Sequence, residues 1–101
     1  HSARAIGTMP AATQDLSLVV ASNIPVNQIH DAVLAGAGEL LESISLVDIY
    51  AGEGVPEGHR SITFALRFRA ADRTLTQAEA TEAKLAGVKL AAETFGATIR
   101  D

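Results

Sequence analysis

The chain has 101 residues, of which 48% are hydrophobic and 20% are charged. This length suits one domain, and this composition predicts a folded unit with a buried core rather than a disordered segment. Because the sequence contains no cysteine, disulfides, thiolate nucleophiles, iron–sulfur clusters and cysteine-ligated zinc are excluded. The net charge of −4 argues against a general nucleic-acid binder, which is usually basic.

No apolar run reaches the roughly 18 residues that a membrane span needs, and no signal-peptide pattern opens the chain. We therefore expect a cytoplasmic protein with no membrane partner. Residues 1–13 show no periodicity and contain the breakers Gly7 and Pro10. We expect residues 1–13 to be a leader or linker from a larger chain, and residues 14–101 to be its domain.

The first predicted elements are a strand and a helix. Gln14–Ser22 alternates large apolar residues with smaller or polar ones, which is typical of a mostly buried strand. Pro25 ends the following turn and suits the start of a helix. From Val26 to Leu41 the apolar residues recur at helical spacing. They are Ile29, Val33, Ala37 and Leu40.

The second strand, Ser43–Tyr50, has an ambiguous alternation in which two registers compete. In the register we favour, Val47 and Ile49 face the core, while Asp48 and Tyr50 lie on the open face together with Leu46. The other register buries Asp48 without an evident partner, which is costly.

The third strand has the clearest pattern in the chain. Ser61–Arg69 alternates strictly, so one side of it faces a core and the other faces solvent. The core side carries Ile62, Phe64, Leu66 and Phe68, and the open side carries Ser61, Thr63, Ala65, Arg67 and Arg69. The glycine-rich segment Ala51–Arg60 joins the two strands. It is not a phosphate loop, because it lacks the Gly-Lys-Ser/Thr ending and precedes a strand.

A second helix is predicted to begin after Thr76, which forms a capping box with Glu79. Its predicted apolar face is Thr81, Leu85, Val88, Ala92 and Phe95. Gly96 ends the helix, and Ala97–Arg100 is a short last strand. The order strand, helix, strand, strand, helix, strand predicts an α+β fold, the ferredoxin-like βαββαβ sandwich. In that fold a four-stranded antiparallel sheet carries both helices on one face, and the other face stays open.

The charges are unevenly distributed. Between His59 and Arg73 there are four arginines and one acid, whereas the acids gather in the predicted helical stretches, including Glu39 and Glu42 in the first. This pattern fits a domain with a cationic sheet face and acidic helices. Scattered surface charge explains it equally well.

The sequence suggests no catalytic residue and no metal site. His1, His30 and His59 have no metal-ligand spacing, and no Ser/His/Asp set is evident. An acylphosphatase-like hydrolase shares the fold, but it needs an arginine in the loop after the first strand, which is absent here. The open face then remains as a binding surface.

Several side chains of that face suit RNA. The Tyr50 ring can stack on a base, and the Asp48 carboxylate can accept from the N1–H and N2–H edge of guanine. Ser61 and Thr63 can donate or accept hydrogen bonds, and Arg67 can meet phosphate. A tyrosine that covers the sheet edge, a hydrogen-bonding aspartate at a strand end and solubilising arginines are equally open readings.

The residues also resemble a known family. The resemblance is carried by Leu46-Val47-Asp48-Ile49-Tyr50, by Gly52-Glu53-Gly54-Val55-Pro56-Glu57-Gly58, by Ser61, Phe64, Leu66 and Phe68-Arg69, and by Arg73-Thr74-Leu75-Thr76 with Glu79. It extends through Gln14-Asp15-Leu16 and Phe95-Gly96-Ala97. In order and spacing these residues resemble the ferredoxin-fold anticodon-binding (FDX-ACB) domain that closes the β subunit of bacterial phenylalanyl-tRNA synthetase.

The resemblance implies a non-catalytic domain that binds the anticodon stem-loop of tRNA-Phe, whose anticodon begins with guanine, on its open face. The tyrosine matching Tyr50 stacks on that first base, beside the residues matching Asp48 and Ser61. The expected RNA-binding residues are Asp48, Tyr50, Ser61, Thr63, Arg67, Ser17 and Arg100. No cofactor is implied for the domain itself.

The implied parent enzyme is an assembly of two α and two β subunits (α2β2). The rest of the β subunit and the α subunit are therefore implied partners, and ATP and magnesium are used at a site in the α subunit. One departure from the family is Gln14, where many members carry arginine. We expect this change to remove a cationic contact and to make the sheet face less basic.

The alternative function is a ligand-sensing or protein-interaction module of ferredoxin-like fold that dimerises through its sheet. Such a face should be apolar, whereas Asp48, Arg67 and Arg69 make this one polar. An enzyme in its own right ranks third.

Overall fold

The computed structural model describes residues 10–100 of the chain. Its elements in chain order are β1 (Ala12–Ala21), α1 (Val26–Ala37), a 3₁₀ turn (Gly38–Leu40), β2 (Leu41–Tyr50), β3 (His59–Phe68), α2 (Gln77–Phe95) and β4 (Thr98–Ile99). All pairings are antiparallel and the strand order is β2-β3-β1-β4. The predicted ferredoxin-like α+β fold is confirmed. β1 begins at Ala12, two residues before the predicted start, and residues 1–9 of the predicted leader lie outside the described residues.

The two central strands build most of the core. On β1 the residues Leu16, Leu18 and Val20 are buried, and they lie opposite Phe64, Ile62 and Arg60 of β3. The predicted alternation of β3 is confirmed, because Ile62, Phe64, Leu66 and Phe68 are all buried. Directly opposite residues share a side of the sheet, so Ser17 and Thr63 lie together on the open face.

Two β-bulges in β2 resolve the competing registers. The pairing with β3 skips Glu42 and Val47, so the strand changes parity at each of these residues. Asp48 and Tyr50 then lie on the open face opposite Thr63 and Ser61, as predicted. The predictions for Leu46 and Val47 are wrong. Leu46 lies opposite Phe64 on the helix side, and Val47 is unpaired and 61% exposed instead of facing the core.

The first helix is shorter than predicted. α1 ends at Ala37 because Gly38 adopts φ of 81°, a left-handed value that favours glycine, and its N–H caps the Leu34 carbonyl. Residues 38–40 form the 3₁₀ turn, and Leu41 and Glu42 belong to β2. Glu42 is therefore a strand residue, and the prediction that it belongs to an acidic helical group is wrong.

The predicted face of α2 is confirmed at Val88 and Phe95, which are partly buried against the core, but it is wrong at Leu85 and Ala92, which are exposed. The fully buried face of α2 is a different one. Its buried residues are Ala80, Ala83, Gly87 and Ala91, whereas Leu85 is 49% exposed. The reason is the other helix, since a β-carbon at Gly36 of α1 would stand 2.9 Å from the Gly87 α-carbon. At this separation only glycine fits at positions 36 and 87, where the Leu90 and Val33 side chains pack directly beside the helix crossing.

The capping box that precedes α2 is confirmed. The Thr76 hydroxyl accepts from the Glu79 backbone N–H at 3.1 Å, and the Glu79 carboxylate accepts from the Thr76 N–H at 3.1 Å. These bonds satisfy donors that the first helical turn leaves without a backbone partner. Gly96 ends α2, as predicted, and turns the chain into β4.

Candidate nucleic-acid interface

Six of the seven predicted RNA-binding residues form two adjacent rows across the open face. In the first row Asp48 of β2 lies opposite Thr63 of β3, which lies opposite Ser17 of β1. The backbone N–H of Arg100 donates to the Ser17 carbonyl at 2.8 Å, so this row ends at Arg100 just beyond β4. In the second row, Tyr50, Ser61, Val19 and Thr98 lie opposite one another in turn.

Tyr50 and Arg100 are in contact across this face. The Arg100 guanidinium carbon lies 5.2 Å from the centre of the Tyr50 ring, a cation–π geometry. The Tyr50 hydroxyl donates to the Glu53 carbonyl at 2.8 Å, which fixes the ring against the loop of residues 51–58. Tyr50 nevertheless remains 37% exposed, so part of the ring is accessible for stacking.

The hydroxyl groups in the middle of the two rows are less accessible. Ser17 and Thr63 share a hydrogen bond of 2.6 Å and are partly buried. Ser61 is 1% exposed, and its Oγ has no hydrogen-bond partner among the residues that the structure describes. An unpaired buried hydroxyl is costly, so the Ser61 Oγ would be stabilised by any hydrogen-bonding partner that reaches it.

Asp48 differs from its hydroxyl neighbours because it is exposed. Within residues 10–100 no hydrogen bond or ion pair involves its carboxylate. The two carboxylate oxygens are therefore available to accept from a donor pair that approaches the open face beside Tyr50.

Arg67 lies apart from the two rows. It occupies the open face opposite Thr13 and Ser43, four residues along β3 from Thr63, or roughly 13 Å. It borders a shallow depression of about 400 Å³. The depression is lined by Thr13, Gln14, Asp15, Ser43, Ser45, Ala65, Leu66 and Arg67.

One carboxylate neutralises two of the predicted sheet cations. Arg67 and Arg69 donate through their Nε atoms to the two oxygens of Glu42, at 2.9 and 2.8 Å. The hydrogen bond from Arg69, with the other from Arg67 and the charge of both guanidinium groups, holds the pKa of Glu42 below its ordinary value of 4.5. Glu42 is therefore ionised at neutral pH, and this end of the face is less cationic than predicted.

The other two arginines of the predicted cationic stretch do not serve the open face. Arg60 lies opposite Val20 on the helix side and donates to the Ile24 carbonyl at 2.7 Å. Arg73 forms an ion pair of 2.8 Å with Glu79 at the start of α2. Of the two readings of the charge pattern, scattered surface charge fits better than a cationic sheet face, since of these four arginines the β3 register puts only Arg67 within the open face.

Gln14 also lies on the helix side, opposite Leu66. Its side-chain amide is within hydrogen-bonding distance of the Gln77 and Thr81 side chains of α2, at 2.9 Å in each case. The expectation that glutamine at this position removes a contact from the sheet face is therefore wrong. In this chain Gln14 connects β1 to α2.

Glu42 is the residue of this face that the sequence prediction missed. The sequence feature that could have indicated it is Gly38, because a glycine that ends the helix there places Glu42 in the following strand, beside the arginines.

In residues 10–100 no helix is long and apolar enough to cross a membrane.

Comparison with known proteins identifies the family of this chain. The family model described as "Ferredoxin-fold anticodon binding domain" matches residues 7–100. Relatives include the phenylalanine–tRNA ligase β subunits of Leifsonia xyli subsp. xyli, Streptomyces avermitilis and Mycobacterium leprae, with identities of 59%, 54% and 50%. These matches cover 94–95% of the chain and 11% of each relative. The chain therefore belongs to the ferredoxin-fold anticodon-binding domain family.

Proposed function

We propose that this chain is the part of a phenylalanine–tRNA ligase β subunit that binds the anticodon stem-loop of tRNA-Phe on its open sheet face. It performs no chemistry itself. Its partners besides tRNA are the rest of the β subunit and the α subunit, in an assembly of two copies of each in the cytoplasm. The α subunit holds the catalytic site that uses ATP and magnesium.

The observation that carries this proposal is the pair Asp48 and Tyr50. They are two residues apart on β2 and share the open face, where one has unpaired acceptors and the other a partly exposed ring. A guanine that stacks on the ring can direct its N1–H and N2–H donors at the carboxylate. No other RNA base presents two adjacent donors on that edge, so the pair favours guanine.

The hydroxyl groups of the two rows extend the site. Ser61 lies opposite Tyr50 and Thr63 lies opposite Asp48, so both are neighbours of a bound base. The unpaired Ser61 Oγ gains a partner when a base or ribose group reaches it. Arg67, four residues after Thr63 on β3, is available to phosphate through the guanidinium nitrogens that do not contact Glu42.

The electrostatic contribution to binding is small. Arg67 and Arg69 are already paired with Glu42, and the chain carries a net charge of −4. We therefore expect weak binding by the isolated chain with a shallow salt dependence. In the parent enzyme other contacts to the same tRNA raise the effective concentration, so a weak contact still contributes.

The proposal is tested by NMR titration of the chain with the anticodon stem-loop of tRNA-Phe at low salt. A second stem-loop with adenine as the first anticodon base is the matched control. We expect shifts at Asp48, Tyr50, Ser61, Thr63 and Arg100, and weaker binding of the control. Shifts confined to α1 and α2, or equal affinity for the two loops, would contradict the proposal.

The alternative, a module that dimerises through its sheet, predicts a different surface. The open face carries Asp15, Asp48 and Arg67 and several hydroxyl groups, whereas an interface core is depleted in charge. Sedimentation analysis separates the two functions. A stable dimer whose interface includes Thr63 would favour the alternative and would leave no free face for RNA.

A further inference from the structure

Exposed apolar side chains lie along the β2 edge of the sheet, on the side that carries the helices. Leu46 and Ile49 lie opposite Phe64 and Ile62, which are fully buried, yet both remain exposed. Val47, the bulged residue that follows Leu46, is more exposed still. β2 is an outer strand of the sheet, so in the part of the chain that the structure describes no further strand covers these side chains.

The first helix extends this apolar surface. Gly36 marks the flank of α1 that contacts α2, and His30 and Leu34 lie roughly 120° and 160° around the helix from it. The His30 and Phe64 ring centres are 6.2 Å apart in an edge-on contact, so this flank of α1 lies over the residue opposite Leu46. Leu34, one turn further along α1, is exposed. The exposed residues of this surface, which we call the β2 patch, are Leu34, Leu46, Val47 and Ile49.

The surroundings of the β2 patch are acidic. Residues 22–58, which include α1, β2 and the loop after β2, contain six acids and neither lysine nor arginine. Of these acids, Asp31, Glu39, Glu53 and Glu57 are exposed and lie on α1, on the turn after it or in the loop after β2. Such a surface repels a phosphate backbone and attracts the lysine and arginine side chains of another protein surface.

The bulges of β2 determine what kind of contact this edge can make. A flat, continuous edge strand can pair with a strand of another chain, whereas a bulge disfavours such pairing. β2 is interrupted at both Glu42 and Val47. The β2 patch is therefore suited to packing of side chains and not to an added strand. A second copy of this chain would bring the same acids to the contact, and like charges oppose it.

We propose that the β2 patch is the surface through which this domain docks on the rest of its β subunit. The chain covers only 11% of the β subunits that it matches, so most of such a polypeptide lies outside this domain. The surface that receives the patch is apolar at its centre and carries lysine or arginine at its rim. Leu46 and Ile49 lie on the opposite side of the sheet from Asp48 and Tyr50, so docking leaves the open face free for tRNA.

This inference rests on the proposed function only in taking the chain as part of a β subunit. Hydrogen–deuterium exchange of the chain alone and of the complete β subunit tests it. We expect the amides of residues 44–50 to exchange about tenfold more slowly in the complete subunit. The opposite sheet edge, Thr98–Ile99, is the internal control and should exchange at the same rate in both.

Variants of the complete β subunit identify the side chains that dock. Leu46→Gln and Leu85→Gln are a matched pair, because the two leucines are 48% and 49% exposed. We expect Leu46→Gln to lose the protection of residues 44–50 and Leu85→Gln to keep it within about twofold. Val47→Gln should lose it as well, and it replaces an exposed, unpaired residue, so the fold is retained even if Leu46→Gln disrupts the core.

The outcomes separate this inference from the recognition of RNA. Equal exchange of residues 44–50 in the chain and in the complete subunit would overturn the docking surface, as would full protection in Val47→Gln, and neither result would affect RNA binding by the open face. Protection that appears only when the α subunit is added, or a dimer of the chain alone that buries Val47, would assign the patch to another occupant and overturn the inference. If the chain fails to bind the anticodon stem-loop while residues 44–50 are protected in the complete subunit, RNA recognition fails and the docking surface stands.

Discussion

Gly87 in the middle of α2 lies against Val33 of α1, and a β-carbon at position 87 would stand 2.6 Å from the Val33 carbonyl oxygen. That oxygen belongs to the helix backbone and cannot rotate away as a side chain does. The two helices therefore cross at a distance that glycine alone permits.

We predict that Gly87→Ala destabilises the chain. The larger side chain forces the helices apart at a cost of about 1–3 kcal/mol, which outweighs the helix-propensity gain of about 1 kcal/mol. Urea unfolding measures the difference. The reverse change Ala92→Gly on the exposed side of α2 is the control for propensity alone, with an expected loss of about 1 kcal/mol. Greater stability of Gly87→Ala would show that the helices are further apart.

The capping box before α2 predicts a pH-dependent stability. Hydrogen bonds from Thr76, first that of its backbone N–H, and the nearby Arg73 charge hold the pKa of Glu79 below its ordinary value of 4.5. A lowered carboxyl pKa stabilises the fold above about pH 4.5, and this stabilisation disappears as the pH falls through the folded-state pKa.

Glu79→Gln keeps an acceptor and removes the titration. We predict that the unaltered chain is more stable than this variant at pH 7, and that the difference shrinks as the pH falls below about 4.5. Urea unfolding of both chains between pH 7 and pH 3 checks this. A stability difference that does not change with pH would contradict the role of the ionised carboxylate.

Thr76→Ala removes the hydroxyl acceptor of the same capping box. We predict that it lowers the free energy of unfolding by about 1 kcal/mol at neutral pH.

The bridge formed by Glu42 predicts an unusual gain in RNA binding. Glu42→Gln removes the charge that neutralises Arg67 on the open face, so the Arg67 guanidinium becomes available to phosphate. We expect tighter binding of the anticodon stem-loop, with the slope of log affinity against log salt steeper by about 0.7 per added phosphate contact. Glu93→Gln, an equal charge change on α2, is the control. Equal effects of the two variants would mean that only net charge matters.

We expect the unpaired hydroxyl of Ser61 to contribute to RNA binding but not to the stability of the fold. Because its Oγ has no hydrogen-bond partner among the described residues, we predict that Ser61→Ala leaves stability unchanged or raises it by up to about 1 kcal/mol. The same variant should bind RNA more weakly, since the hydroxyl is a neighbour of the base. A clear loss of stability would instead assign Ser61 a structural hydrogen bond.

The elements that the sequence predicts well are those governed by local rules. The alternation of β3 and the Thr76–Glu79 box each depend on residues close in the chain, and both agree with the structure. Asp48 and Tyr50 were placed correctly because burying a lone carboxylate is costly whatever the details of the strand.

The elements that were predicted incorrectly depend on partners distant in the chain. The apolar spacing of α2 favoured Leu85, but close contact with Gly36 selects a stripe of alanine and glycine. A single register for β2 could not satisfy both halves of the strand, and the bulge at Val47 allows each half its own. The Tyr50–Arg100 contact joins residues from opposite edges of the sheet, so no local sequence pattern predicts it.

The proposed recognition of guanine depends on the Asp48 carboxylate, which accepts from the N1–H and N2–H edge of a base that stacks on Tyr50. It is tested most directly by binding of the unaltered chain and Asp48→Asn to two stem-loops, one with guanine and one with inosine as the first anticodon base. Inosine lacks only the 2-amino donor. We predict that this change weakens binding to the unaltered chain about tenfold, as expected for a hydrogen bond to a charged group, and weakens binding to Asp48→Asn much less. An equal loss with both proteins would contradict the claim.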